Sequence, residues 1–235
     1  MGVYRIADIN IKYETKSNYL IQRLKPYMVA DEKYDCEITV SEDDLINERA
    51  LAEESNTSLL ESTALLRHIC NIVLKGFNGM FLHCALLKYN GKAYIFTAPS
   101  GTGKTTHIRL WLKHLGDKVE VINGDKPILR KKDNEVIAYG TPWNGKENYG
   151  NNISAPLGGI FLLHRAEENS VTKATAKESL SFLLSQTIKP DNKPDMIKLF
   201  DLLEHIIKNI PIYDLNCNME KQAMETALSV IKWLK

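Results

Sequence analysis

Ala98-Pro99-Ser100-Gly101-Thr102-Gly103-Lys104-Thr105-Thr106 is the stretch on which the fold turns. It has the relaxed form of a phosphate-binding loop, Ala or Gly followed by four residues and then Gly-Lys-Thr; the strict form has Gly where Ala98 stands. Such a loop turns successive backbone N–H groups inward and makes a nest for a phosphate chain. Gly101 and Gly103 permit the torsions and the close approach that a side chain forbids. Lys104 is expected to reach the β- and γ-phosphates, and the Thr105 hydroxyl to ligate Mg²⁺. Ser100, Gly101, Thr102, Gly103, Lys104, Thr105 and Thr106 are therefore the candidate residues for binding ATP or another nucleoside triphosphate.

The flanks decide between this reading and a Gly-Thr-rich turn that binds nothing. Lys92 to Thr97 is apolar and β-prone and runs straight into the loop. Lys104 to Leu115 reads as a helix through Ile108, Leu110, Trp111 and Leu115, with Gly116 as its C-cap. Strand, Gly-rich loop and helix together set a helix N-terminus, with its partial positive charge, against a bound phosphate.

Upstream, Met80 to Tyr89 is a strand candidate and Asn90-Gly91 is a strong hairpin turn signal. In a regular hairpin closed by that turn, opposed residues have numbers summing to 181, so Tyr89 faces Lys92 and His83 falls opposite Ala98 at the mouth of the loop. Downstream, the strand Lys118 to Ile122 ends in Asn123-Gly124-Asp125, and an acid at such a strand end is where a P-loop protein holds Mg²⁺, directly or through water. Pro127 to Lys131 and Glu135 to Tyr139 form a second hairpin around Asp133-Asn134, and Leu157 to Leu163 is another strand. Helices are expected over Ala176–Ile188, Lys193–Lys208 and Met219–Leu234, with a short strand over Ile210–Leu215. This is not the repeated βαβ order of the usual P-loop domain. A mixed α/β sheet around the loop, followed by helices, is the architecture it predicts.

The first part has its own rhythm. Val3 to Thr15 alternates through Tyr4, Ile6, Ile9, Ile11 and Tyr13, Asn18 to Val29 reads as a helix, and Cys36 to Val40 as a short strand. Ser41 with Asp44 makes a helix-capping pattern, and Ser58 to Gly76 is an amphipathic helix. Residues 1–77 are thus read as a small α+β module and 78–235 as the nucleotide-binding domain. No Pro/Gly/Ser-rich linker parts them, so the module is expected to dock.

Composition narrows the partners. The chain is 44% hydrophobic and 25% charged with net charge +1, and it lacks the concentrated basic face of a nucleic-acid binder. No apolar run is long enough to span a bilayer, and Met1 to Leu20 lacks a signal-peptide pattern. Cys36, Cys70, Cys84 and Cys217 are scattered without paired spacing, which fits reduced thiols in a cytoplasmic protein rather than a zinc site.

Three segments together carry a family resemblance: His83-Cys84-Ala85-Leu86-Leu87, the loop Ala98–Thr106, and Ile122-Asn123-Gly124-Asp125. Over about Phe81 to Leu163 they resemble the HPr kinase/phosphorylase catalytic domain, and the loop itself looks closer to that of ATP-type phosphoenolpyruvate carboxykinase, which shares the fold. The resemblance implies a phosphoenolpyruvate carboxykinase-like P-loop kinase core with C-terminal helices. It also implies a catalytic group of His83, Lys104 and Asp125, metal held by Thr105 and Asp125, and assembly into a homo-oligomer. His83 keeps the family's fifteen-residue spacing to the first loop position, in agreement with the hairpin register; as an isolated residue it reads equally as a half-buried strand histidine. The family usually carries adjacent acids at the second strand end, one for metal and one as base, whereas this chain has Gly124, Asp125 and Lys126. Lys146, in the loop Gly140 to Lys146, and Arg165 are further cations that would bear on phosphate or acidic substrate, or else simply face solvent.

The expected function is an ATP- and Mg²⁺-dependent kinase passing the γ-phosphoryl group to a hydroxyl of a protein, peptide or small-molecule acceptor, with the N-terminal module recognising that acceptor. Two alternatives stay open. One is a nucleotide-binding regulatory or accessory protein with little or no catalysis, supported by the missing second acid. The other is a P-loop NTPase, weakened by the absent βαβ succession.

Overall fold

In the first fifteen residues the apolar alternation slips by one step between Ile6 and Ile9, and that slip is a turn. The computed structural model, which describes residues 2–30, 33–52 and 56–231, has β1 (Gly2–Ile6) and β2 (Ile9–Tyr13) as an antiparallel hairpin. Its two turn residues, Ala7 and Asp8, both have positive φ (52° and 59°), the torsions of a type I′ turn. The helix expected to run to Val29 stops early. α1 (Asn18–Leu24) gives way to a turn of 3₁₀ helix containing Pro26, which has no N–H for a continuing α-helix. β3 (Met28–Val29) then pairs with β1, and β4 (Cys36–Ile38) lies parallel to β2, completing a four-stranded sheet ordered β3-β1-β2-β4.

α2 (Glu42–Ala52) begins with the expected cap: the Ser41 N–H donates to Asp44 Oδ2 at 2.8 Å and the Asp44 N–H to Ser41 Oγ at 3.2 Å. α3 (Thr57–Gly76) follows, its first turn capped by Asn56. Its face bearing Leu65, Leu66, Ile69 and Val73 packs with Tyr4, Ile9, Ile11 and Leu20 and also with Phe81, Ile128, Tyr139 and Trp143, so one apolar cluster spans the small sheet and the strands beyond it. Polar ties reinforce the contact. Tyr139 donates to Asp8 at 2.8 Å, Arg130 Nη1 to the Ala7 carbonyl at 2.5 Å, and Asn152 Nδ2 to the Pro26 carbonyl at 3.1 Å.

The larger sheet is mixed α/β, as expected. In chain order come β5 (Gly79–Phe81), β6 (Cys84–Tyr89), β7 (Lys92–Thr97), α4 (Lys104–Leu115), β8 (Val119–Asn123), β9 (Ile128–Lys132), β10 (Glu135–Tyr139) and β11 (Ser154–Arg165). β12 (Ser170–Lys173), α5 (Ala176–Ser185), α6 (Lys193–Asn209), β13 (Ile212–Cys217) and α7 (Lys221–Ile231) complete the described chain. The nine strands run β5-β9-β10-β11-β7-β6-β8, with β13 beside β11 and β12 beside β13. Each strand's alternation serves two helical layers. Ala85, Leu87, Phe96 and Phe161 meet Trp111 of α4 and Met224, Ala227 and Leu228 of α7. Leu86, Ile95, Ile160 and Leu162 meet Leu183 of α5 and Leu199, Leu203 and Ile206 of α6. Among the described residues no helix is long and apolar enough to cross a membrane.

Several expected elements change at their ends. The strand Met80–Tyr89 is broken at Leu82-His83, because its donors go to three places: Leu82 N–H to Pro127 O, His83 N–H to Gln186 O, and Cys84 N–H to Asp125 O. The chain there crosses from β9 to β7 and β8. The helix expected to reach Ile188 stops at Ser185, since Thr187 bridges Leu82 and its hydroxyl donates to the Phe81 carbonyl. β12, which no apolar pattern announced, is held by β13. The C-terminal helix starts at Lys221 rather than Met219, and its expected last residues, 232–235, lie outside the described residues.

His107, on α4, sits in the core behind the loop against Phe96, ring centroids 4.5 Å apart, and neither ring nitrogen has a hydrogen-bond partner among the described residues. Burial pushes its pKa down from 6.5 to about 3. Between those values the unfolded chain takes up a proton that the folded chain refuses, so stability present above pH 6.5 is lost as pH falls. The expected slope is about 1.4 kcal/mol per pH unit. His107→Leu should remove that slope, measured as the difference in urea unfolding free energy between variant and parent from pH 7 down to about 5; parallel pH profiles would show the assignment to be wrong.

Candidate functional site

One edge of the sheet collects the chemistry, and strand direction is the reason. β6 is antiparallel to both β7 and β8, while β7, β11 and β13 are parallel. The start of β6 therefore lies beside the ends of the other four strands. At that edge stand His83 before β6, the loop after β7, Asp125 after β8, Arg165 at the end of β11 and Cys217 at the end of β13. In open α/β sheets this carboxyl edge is where ligands bind.

The hairpin register is the one the Asn90-Gly91 turn requires, from Tyr89↔Lys92 to Cys84↔Thr97. Asn90 and Gly91 both have positive φ (49° and 78°). One step further, the Thr97 hydroxyl donates to the His83 carbonyl at 3.0 Å, so His83 lies at the mouth of the loop as its number predicts. Asp125 does not follow a strand adjacent to the loop strand. β6 intervenes, and it is this insertion that brings His83 between loop and acid.

In the loop, Gly101 and Gly103 have φ of 79° and 124°, and a Cβ on either would meet no protein atom within 4 Å. Torsion, not protein crowding, demands glycine at both. Lys104 is buried, with Nζ donating to the Ala98 carbonyl at 2.8 Å and the Pro99 carbonyl at 3.4 Å. Burial lowers its pKa, opposed by the nearby Asp125 carboxylate. Arg165, left open between a phosphate role and solvent by sequence, holds the loop from outside. Its Nε donates to Thr102 O at 2.9 Å and its Nη2 to Gly101 O.

His83 and Asp125 form a pair, Nε2 to Oδ1 3.3 Å, while Gln186 Oε1 lies 3.2 Å from Nδ1. Burial lowers the His83 pKa, nearby Lys104 adds to this, and Asp125 opposes it. Oxygen atoms face both ring nitrogens, and a neutral imidazole has one N–H to give, so it donates to either Asp125 or Gln186 and not to both. The second Asp125 oxygen receives Lys126 Nζ at 2.7 Å. Asn123 fixes this turn: its Oδ1 accepts the N–H groups of Asp125 (2.9 Å) and Lys126 (2.8 Å), and its Nδ2 donates to Thr141 O (3.0 Å) and Oγ1 (3.1 Å). Asn123 and Thr141 are fully buried. Gln186, Asn123 and Thr141 were not singled out from sequence. Asn-Gly-Asp at a strand end is the local signal for the Asn123 turn, whereas Gln186 reaches the site only through the end of α5, a tertiary fact.

The residues present fit a triphosphate and, with it, Mg²⁺. Among the described residues no group of three His, Cys, Asp or Glu side chains stands together to cage a metal. Mg²⁺ characteristically takes one or two protein oxygens and completes its shell with phosphate and water. Thr105, at the start of α4, and Asp125, after β8, carry the oxygens that such a shell would need.

Two cavities bear on this edge, one against the glycine loop and one with no residue of that loop in its wall. One of about 460 Å³ lies against Gly103, Thr106, His107, Arg165 and Met219. The other, about 390 Å³, opens between Asp125 and the N-terminal residues and includes Lys146 in its wall.

No family model matches the chain, and no curated protein matches its sequence. Among solved structures it is similar to the Hpr(Ser) kinase/phosphatase from Coxiella burnetii, with a TM-score of 0.36 and 10% identity, over 65% of this chain and 96% of that one. A likeness of that size carries no functional weight.

Gly124 is where a second acid would stand. A Cβ there would lie 2.9 Å from the Asn144 carbonyl oxygen and 3.1 Å from that of Tyr149. Gly124→Asp should therefore crowd the site and set a carboxylate against two carbonyls, lowering stability by about 1–3 kcal/mol in urea unfolding. An unchanged midpoint would show that the 144–149 loop gives way freely.

Proposed function

We propose that the chain is an ATP-dependent kinase that transfers the γ-phosphoryl group to an acceptor hydroxyl. The observation that carries this is the sharing of one sheet edge by the glycine loop with its buried lysine and the His83–Asp125 pair. The loop amides and Lys104 would hold and neutralise the phosphates, Lys104 exchanging the Ala98 and Pro99 carbonyls for phosphate oxygens. The cavity beside Thr106 and His107 has room for the nucleoside. Thr105 and Asp125 would hold Mg²⁺, which supplies charge neutralisation on the phosphates.

The acceptor oxygen bonds to the γ-phosphorus as the bond from that phosphorus to the β,γ-bridging oxygen breaks. The electron pair leaves with the diphosphate, and the hydroxyl proton passes to Asp125, oriented by His83. Positioning and charge neutralisation do most of the work in such a transfer, so the loss of a second acid does not abolish it.

A second reading has its own observation. Lys126 Nζ lies on one Asp125 oxygen at 2.7 Å and His83 faces the other at 3.3 Å, so both carboxylate oxygens already have partners, and this favours a nucleotide-binding protein with little turnover. Incubation with [γ-³²P]ATP and Mg²⁺, scoring released phosphate against labelled acceptor, separates the two. Labelled acceptor supports the kinase, while stoichiometric binding without label or release across an acceptor panel supports the second reading. Under either, Lys104→Ala should weaken nucleotide binding by about tenfold or more, the loss of one charge-assisted contact. Binding unaffected by that substitution would remove the basis for both.

A further inference from the structure

We infer that the cavity between the N-terminal residues and Asp125 is the acceptor pocket, and that the acceptor is a small hydroxylated carboxylate with an apolar body. This rests on the kinase reading and gives it a substrate class. The cavity, about 390 Å³, is lined by Asp125 and Lys126 and by side chains of α1, α2 and α3. That volume suits a small molecule.

Its charge is not balanced from within. The two acids in the wall are already matched: Asp125 by Lys126, and buried Glu48 by Arg67, at 2.5 and 3.2 Å. Two cations in the wall, Arg23 and Lys146, have no acidic partner among the described residues. Arg23 is held in place. Its Nη1 donates to the Pro142 carbonyl at 2.9 Å and to Asn144 Oδ1 at 2.8 Å, and its guanidinium lies over the Tyr19 ring, 4.8 Å from the centroid. A fixed guanidinium with donors to spare matches the planar fork of a carboxylate.

Much of the remaining wall is apolar, with Ser62 and Thr63 among its polar members. Leu59, Leu60 and Leu66 of α3 line it with Trp143, whose indole N–H donates to Ser62 O at 3.2 Å and Oγ at 3.1 Å. A molecule whose carboxylate meets Arg23 and Lys146 and whose body lies on these side chains would present its hydroxyl towards Asp125. The γ-phosphoryl group is then transferred with the bond changes given for the kinase.

The test uses the full chain and three probes, L-threonine, 3-hydroxybutyrate and 3-phenyllactate, each beside its neutral amide, together with a serine-containing peptide. Transfer from [γ-³²P]ATP and calorimetric binding are both measured, and nucleotide affinity is followed separately. The expected result is that at least one acid is bound and labelled, its amide about tenfold or more poorly. Arg23→Met should raise the acceptor KM about tenfold or more with nucleotide affinity unchanged, the size of a lost charge-assisted contact. Arg23→Lys should recover part of that loss, and Lys146→Met, in an exposed loop, should act in the same direction as Arg23→Met without a folding risk. Equal use of acid and amide, preference for the peptide, or indifference to both Arg23 and Lys146 would overturn the assignment. Lys104-dependent nucleotide binding with no acid bound or labelled would also overturn it, while leaving the nucleotide site standing. Absence of nucleotide binding would instead sink the kinase reading beneath it.

Discussion

The antiparallel insertion of β6 between β7 and β8 is the constraint on which the site depends. With β6 reversed, its first residues meet the last residues of both neighbours, and His83, the loop and Asp125 converge although 42 positions separate the first from the last. The ladder leaves little slack. A slip by one residue would turn Leu86, packed towards α5 and α6, to the face of α4 and α7 and carry His83 away from the loop mouth. The Asn90-Gly91 turn with its two positive φ values therefore fixes the chemistry as well as the hairpin.

Burial raises the electrostatic stakes at that edge. Lys104 is set in low-dielectric surroundings on backbone carbonyls alone, and its lowered pKa records the cost of holding that charge. The same burial keeps the His83 ring towards neutrality and holds the Cys84 thiol well above its usual pKa, so the thiol is un-ionised. What charge the site retains is paired, Asp125 with Lys126, or held over the loop, as Arg165 is through two carbonyls. A polyanion is the ligand class that such a set of donors stabilises most.

The parts legible in sequence were those specified locally. α4 has the predicted limits because strand, glycines and helix periodicity agree over Lys92 to Leu115. The hairpin register followed from a dipeptide, and the Ser41–Asp44 cap from four residues. What sequence left out is set by tertiary partners. The break at Leu82-His83 exists because Pro127, Gln186 and Asp125 each offer a carbonyl there, and none is a sequence neighbour. Gln186 enters the site through the end of α5, and Arg23 of α1 reaches the Pro142 carbonyl across 119 positions. Lys126 was in plain view beside Asp125, but only the fold turns its ammonium back onto that carboxylate.

The single acid and the attached N-terminal residues have one structural origin. The segment 140–151 closes over Gly124 through the Asn144 and Tyr149 carbonyls, and Gly140 must be glycine because a Cβ there would lie 1.9 Å from the Asn151 carbonyl oxygen. The same segment binds Arg23 through Pro142 and Asn144, packs Trp143 on α3, and anchors Asn123 through Thr141. Room for a second carboxylate at 124 would require this segment to lift, and lifting it would release the N-terminal contacts and the Asp125 turn together. The space a second acid would need is thus occupied by the element that joins the small sheet to the edge bearing the glycine loop.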